Sequence, residues 1–249
     1  MEKLIIYTDG ASKKNPGPGG WAAIIASKDT VQELGGGEPH ATNNRMELMA
    51  AFKALESVSA QKPSEIIFRT DSAYVIKGAT MWQWGWRKNG WKTKEGKEVV
   101  NLELWQQFVS LVNVLGKKIL WENVGGHIGL PANERVDSLA SSFALGETPQ
   151  LYLGPRDTYD IDVESVAIDH EKKAKKTASR VRAKQPAYSY ISMVNGKVST
   201  HKTWAECEAV VKGKRARFKK SISKEEEAEI IKVFLSSAKG MNQTLDAHL

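Results

Sequence analysis

The run Arg45-Met-Glu-Leu-Met-Ala-Ala-Phe-Lys-Ala-Leu-Glu-Ser-Val58, followed by Ile66-Ile-Phe-Arg-Thr70 and Asp71, decides how this chain folds. Leu48, Ala51, Phe52, Leu55 and Val58 recur at helical spacing, so this run is a helix that lays an apolar stripe on a sheet. Ile66 to Thr70 is a short β-branched and aromatic run, hence a buried strand, and Lys3 to Asp9 upstream also reads as a strand. Strand, helix, strand in that order is a crossover between parallel strands. Asp9 and Asp71 are then expected to end adjacent strands, at the carboxyl edge where open α/β sheets bind ligands.

Outward from this unit, Asn15-Pro-Gly-Pro-Gly-Gly20 reads as a turn in which proline and glycine stop regular pairing, and Trp21 to Ser27 with Thr30 to Gly35 as a hairpin around Lys28-Asp29. Leu102, Trp105, Phe108, Val109 and Val112 mark a second amphipathic helix that Gly116 stops. A strand over Ile119 to Val124 and a helix over Ala132 to Leu145 complete one α/β domain, residues 1–147, with a mixed five-stranded sheet and flanking helices. Residues 148–186 read as a linker, acidic through Asp157, Asp160, Asp162 and Glu164, then basic. Residues 187–237 form a small α/β domain: a hairpin about Asn195-Gly196, a helix over Trp204 to Val211, a strand over Ala216 to Lys220 and a helix opened by Ser223-Lys-Glu-Glu226. Residues 238–249 are a tail.

No apolar run approaches the ~18 residues of a membrane span and no signal peptide is legible, so a cytoplasmic protein without membrane contact is expected. The lone Cys207 excludes an intrachain disulfide and a cysteine metal cluster. Charge is uneven. Residues 1–146 hold 17 Lys+Arg against 15 Asp+Glu, residues 147–169 hold 1 against 6, and residues 170–249 hold 18 against 8, so the excess of +10 at the end points to a polyanion partner.

Asp9, Glu47, Asp71 and Asp137 each have an ordinary explanation alone: a turn, a capping box begun at Asn44, a helix cap and a solvated helix carboxylate. Together they form a set of acids that would repel one another unless a cation intervened. Oxygen donors suit hard divalent ions, above all Mg2+, and two ions are the economical number.

The segments Tyr7-Thr-Asp-Gly-Ala11, Asn43-Asn-Arg-Met-Glu-Leu-Met-Ala50, Thr70-Asp-Ser-Ala-Tyr-Val75 and Gly126-His-Ile-Gly-Leu-Pro-Ala-Asn-Glu-Arg-Val-Asp137 resemble, in order and spacing, those of the type I ribonucleases H. The resemblance covers about residues 3–146. It implies hydrolysis of the RNA strand of RNA/DNA hybrids, leaving 5′-phosphate and 3′-hydroxyl ends, with Mn2+ as a substitute for Mg2+. It further implies that Asp9 bridges two metal ions, Asp137 helps hold the one that activates water, and Glu47 and Asp71 hold the one facing the leaving oxygen. His127, in a glycine-rich loop and with an ordinary pKa of ~6.5 suited to proton transfer, and Glu134 take auxiliary roles in proton transfer or product release.

Trp82, Trp84, Trp86 and Trp91 lie among Arg87, Lys88, Lys92, Lys94 and Lys97, a region similar to the family's basic protrusion, which grips the DNA strand. Asn15, Asn43 and Asn44 could each serve a turn or helix cap, and the resemblance places them against the hybrid's minor groove, where 2′-hydroxyls mark RNA. Ala73 departs from the pattern, standing where many bacterial relatives have glutamine. Trp204-Ala-Glu-Cys207, Lys212-Gly213 and Ala216-Arg-Phe-Lys-Lys220 resemble the small hybrid-binding, viroplasmin-like module of eukaryotic relatives, with Trp204 and Phe218 on the nucleic-acid backbone, Lys219 and Lys220 on phosphates, and Tyr188 or Tyr190 as a further contact. A monomer is expected, and the competing reading is a non-catalytic RNA/DNA hybrid-binding protein. Four acids close to phosphate argue against it.

Overall fold

Leu4 and Ile6 face one side of the first strand, Ile5 and Tyr7 the other, and all four are buried, as a strand covered on both faces demands. The computed structural model describes residues 2–125, 130–166, 182 and 184–245, the last eight of these as backbone alone. The chain divides into two units, Met1–Lys173 and Ala174–Leu249.

In the first unit the strands are β1 (Lys3–Ser12), β2 (Gly17–Ala26), β3 (Thr30–Ala41), β4 (Glu65–Thr70), β5 (Ile119–Asn123) and β6 (Leu153–Pro155), in the sheet order β5-β4-β1-β2-β3-β6. The expected crossover is present: β1 and β4 are parallel, with Thr8 opposite Thr70. The sheet is mixed and flanked by helices, and it has six strands where five were expected. The sixth comes from the segment read as linker: Leu153–Pro155 pairs antiparallel with Thr30–Gln32, and Val163 beyond it is buried. Its apolar groups, Leu151, Tyr152, Tyr159, Ile161 and Val163, are scattered among acids without a period, so the pattern concealed a packed segment.

Helices α1 (Asn43–Val58) and α4 (Leu102–Leu115) pack on one face of this sheet, and α5 (Pro131–Ala144) on the other. Between β4 and α4 lie α2 (Ala73–Lys77), a π-helical turn at Gly78–Trp82 and α3 (Gln83–Lys88). The glycine-rich run expected as a turn is largely strand, because β2 begins at Gly17. A Cβ on Gly20 would stand 2.2 Å from the Ala140 carbonyl oxygen of α5, so glycine serves helix-to-strand approach there.

The second unit contains β7 (Ser189–Val194), β8 (Lys197–His201) and β9 (Ala216–Ser221) in the order β8-β7-β9, with helices α6 (Trp204–Val211) and α7 (Lys224–Leu245). Asn195 and Gly196 both have positive φ, as a tight hairpin turn of this type requires. Ile191 and Met193 meet Ile230 and Phe234 of α7 in its core. Helix α7 runs through Leu245, into the expected tail. No helix among the described residues is long and apolar enough to cross a membrane.

Candidate active site

The β1–β4 ladder ends at Thr8 and Thr70, so Asp9 and Asp71 follow side by side at the carboxyl edge of the parallel pair. Asp9 does not end its strand, since β1 continues to Ser12 against β2. Asp71 is not a helix cap. That task falls to Ser72, whose Oγ accepts from the Val75 N–H at 3.2 Å.

Glu47 reaches the same edge from α1. The helix is capped by Thr42, not by a box begun at Asn44: Thr42 Oγ1 accepts from the Arg45 N–H at 3.2 Å, which leaves the Glu47 carboxylate for other partners. Asn43 Nδ2 donates to Glu47 Oε1 at 2.8 Å, and Ser72 Oγ donates to Oε2. Asn15 Oδ1 in turn accepts from the Asn43 N–H at 3.0 Å, tying the loop before β2 to the head of α1. Gly10 permits the approach, because a Cβ there would lie 2.2 Å from the Glu47 nitrogen. Ser72 and Gly10 were missed as site residues. Asp-Ser ahead of a helix could have flagged Ser72, whereas Asp9-Gly10 resembles a turn and conceals the close approach.

Burial, then the charge of Asp71, then those of Asp137 and Glu47, push the Asp9 carboxyl up to about 8 against the pull of the Gly10 N–H. Burial also pushes Glu47 up, with Asp71 adding to it and Ser72 and Asn43 opposing. Asp9 is thus within electrostatic reach of the other three acids. Such a group holds its proton for want of a counter-charge, which a hard divalent cation would provide. No three acidic, histidine or cysteine side chains among the described residues close on one point at metal-ligand spacing. The oxygen donors present, carboxylates of Asp9, Glu47, Asp71 and Asp137, are of the kind Mg2+ takes, with water and substrate phosphates completing its shell. The donor set fits the ion.

Asp137 and Glu134 are both half-buried on α5, Glu134 in its first turn behind Pro131. His127 lies outside the described residues. Trp82, Trp86 and Trp91 join Tyr74 and Trp105 in a chain of ring contacts that leads into the core, with Trp82–Trp86 centroids 5.7 Å apart and Trp86–Trp105 5.2 Å. Trp86 and Trp91 are half-buried core partners, whereas Trp84 is 59% exposed with the Arg87 guanidinium 5.8 Å from its ring centroid. Lys88, Lys92 and Asn44 are exposed.

In the second unit, Tyr190, Trp204 and Phe218 form one aromatic row, with centroid spacings of 5.7 and 5.2 Å. Tyr190 thus joins the row where the sequence left Tyr188 and Tyr190 open. Phe218 and Lys220 alternate with Lys219 along β9, so Lys219 falls on the opposite face of the sheet, opposite Ile191. Lys220 Nζ donates to the Gln185 carbonyl at 2.6 Å.

Residues 1–144 match the RNase H family model. The ribonuclease H of Alcanivorax borkumensis is 50% identical over 141 residues, covering 57% of this chain and 91% of that protein. That of Bradyrhizobium sp. ORS 278 is 53% identical over 135 residues, covering 54% and 85%. Among solved structures, LC9-RNase H1, a type 1 RNase H with the type 2 active-site motif, aligns with a TM-score of 0.54 at 30% identity over 61% of this chain and 77% of that one. With the match spanning more than half of its length and the four acids assembled at one sheet edge, the chain belongs to the ribonuclease H family.

Proposed function

We propose that the chain is an endonuclease that hydrolyses the RNA strand of RNA/DNA hybrids, holding two Mg2+ ions, or Mn2+ in their place, and leaving 5′-phosphate and 3′-hydroxyl ends. The observation that carries this is the meeting of Asp9 from β1, Glu47 from α1, Asp71 from the bend after β4 and Asp137 from α5, in a chain of this family. Asp9 would touch both ions, Glu47 and Asp71 the one on the leaving side, and Asp137 the one on the attacking side. When bound, the ions stabilise charge on the attacking and departing oxygens. Asn43 and Ser72 fix the two Glu47 oxygens so that the carboxylate is set before substrate arrives. His127 and Glu134 move protons at the water side.

Asn15, Asn43 and Asn44 surround the head of α1, where they would meet minor-groove 2′-hydroxyls. Trp82 and Trp84, the exposed members of their cluster, with Arg87, Lys88 and Lys92, would take the DNA strand, while Trp86 and Trp91 support them from the core. The second unit would add a hybrid-binding surface through Trp204, Phe218 and Tyr190, with Lys220 supplying charge at its margin and Lys219 adding charge from the opposite face of the sheet. The protein would work as a monomer in the cytoplasm, a reducing compartment with which the single buried thiol, Cys207, agrees.

The test is cleavage of a labelled RNA/DNA hybrid beside matched RNA and DNA duplexes, each with Mg2+, Mn2+ or a chelator. Cuts confined to the RNA of the hybrid, and abolished by chelation, are expected. Equal cutting of duplex DNA, or cutting in chelator, overturns the reading.

A further inference from the structure

Residues 149–166 have no helical or strand period, yet they fasten three elements of the catalytic unit at matching places. On β1, the Tyr7 hydroxyl donates to the Val163 carbonyl at 3.1 Å, and it accepts from Arg69 Nη1 at 2.7 Å. On β4, the same Arg69 nitrogen also reaches the Val163 carbonyl at 3.2 Å and the Glu164 carbonyl at 3.4 Å. On β3, Glu33 takes two donors from the segment, the Tyr159 hydroxyl at 2.7 Å and the Tyr152 N–H at 3.0 Å, and Arg135 of α5 donates to both of its oxygens at 2.8 and 2.9 Å. The Glu33 side chain is fully buried and Val163 is 2% exposed, so these are interior fastenings.

Tyr7, Arg69 and Arg135 each stand two residues before an acid of the site: Asp9, Asp71 and Asp137. In a strand a two-residue step returns to the same face, so the segment holds the side of β1 from which Asp9 projects; Arg69 anchors the end of β4 before Asp71, and Arg135 anchors the turn of α5 that carries Asp137. Buried polar groups with several partners hold one geometry, because any displacement leaves a desolvated donor or acceptor without its mate.

We propose that residues 149–166 are a strap of the catalytic unit that positions Asp9, Asp71 and Asp137 relative to one another for cation binding, through Tyr7, Arg69 and the Glu33–Arg135 pair. Tyr7, Tyr152 and Tyr159 are positioning residues, and they touch neither ion nor substrate. The strap rests on the metal-dependent reading given above and deepens it. It also moves the functional boundary of the catalytic unit from residue 147 to residue 166, so that a chain cut at 147 loses part of its active-site support along with the linker.

The test uses the full chain and the double substitution Tyr7→Phe with Tyr159→Phe, which removes two hydroxyls and no apolar surface. Mn2+ binding is measured by calorimetry without nucleic acid, alongside kcat and KM on a hybrid and the Tm of the metal-free protein. The expected result is Mn2+ affinity weakened about 3- to 10-fold, below the 10- to 100-fold typical of groups that contact metal ligands directly, with kcat lowered and KM for the hybrid held. Tyr159→Phe alone keeps the question open to measurement should the double variant not fold, with a smaller shift in the same direction. A lower Tm with Mn2+ affinity unchanged at a temperature where both proteins are folded overturns the strap's positioning role. If the unaltered chain neither binds Mn2+ nor cuts hybrid, the functional reading itself falls and the strap proposal with it. If it does both and the variants match it, only the strap proposal falls.

Discussion

The two faces of the large sheet are held by different physics. On the face of α1 and α4, the interior contact is apolar: Leu48, Leu55, Phe108 and Trp105 are buried against Leu4, Ile6 and Phe68, and the polar links, Arg45 to Glu38 and Glu103 and Ser72 to Glu47, lie at the head of α1. On the face of α5 and the strap, an apolar bed of Ile5, Ile24 and Val136 is overlaid by bonds that Tyr7, Arg69, Glu33 and Arg135 make. Apolar burial is non-directional and tolerates small shifts, whereas a buried carboxylate with four donors has one arrangement. The first face supplies adhesion and the second supplies register. The acids of the site stand where register counts, since Asp9 shares the face of Tyr7 and Asp137 the helix of Arg135.

The largest effect is expected at that register. Asp9→Asn should lower Mg2+-dependent cleavage by about 10^3-fold or more, the several kcal/mol that a lost metal contact removes from transition-state stabilisation. The same substitution should stabilise the metal-free protein. Asp9 has a folded pKa of about 8, above its ordinary 3.8, so the folded chain retains a proton that the unfolded chain has lost, and stability falls as pH rises from about 4 to about 8. A melting curve at pH 8 in chelator should show the variant above the parent, by about 2–4 °C for each kcal/mol of relieved repulsion. A variant that melts lower would break the idea that the acids repel.

Next, Phe108→Ala tests the adhesive face. The ring is fully buried, and its removal should cost about 3–5 kcal/mol in urea unfolding, nearly independent of pH.

Glu33→Gln tests the other face and should cost about 2–3 kcal/mol at pH 7, below the full cost of breaking a buried pair because Arg135 keeps some access to water. Here pH discriminates. Burial pushes Glu33 up, but the bonds from Arg135, Tyr159 and Tyr152 outweigh it and hold the carboxyl below its ordinary 4.5. Its stabilisation is therefore complete above that value and disappears as pH falls through the lower folded pKa, so parent and variant should converge in acid. A gap that stays constant to pH 3 would show that the face is held by packing alone. The smallest effect is expected for Thr42→Ala, which removes the cap of α1 and should cost about 1 kcal/mol in the same unfolding assay.

The adhesive face was legible because its helices announce themselves by period: Leu48, Ala51, Phe52 and Leu55 needed no knowledge of partners. The parallel pairing of β1 and β4, and with it the adjacency of Asp9 and Asp71, followed from chain order alone. The strap was illegible for the complementary reason. Its grip on Tyr7 and Arg69 is made by the backbone carbonyls of Val163 and Glu164, which every residue possesses and no sequence pattern reveals. Glu33 read as a strand residue in a hairpin, and nothing local indicated that Arg135, 102 positions away, would bury it. At the site, the acids were legible by type, but the Ser72 cap that relieves Asp71 of that duty, and the approach that Gly10 allows, depend on distances between elements.

Strand β6 has a consequence for the behaviour of this protein in concentrated solution. It covers only Thr30–Gln32 of the twelve-residue β3, and it ends in Pro155, which has no N–H to offer a neighbouring chain. The rest of β3 carries Gly35, Gly36, Gly37, the charged Glu38 and Pro39, a stretch poorly suited to receive another strand. Loss of β6 would bare the most regular portion of that edge, Thr30-Val-Gln32, as a template for intermolecular pairing, so damage to the strap should first become visible as aggregation on storage.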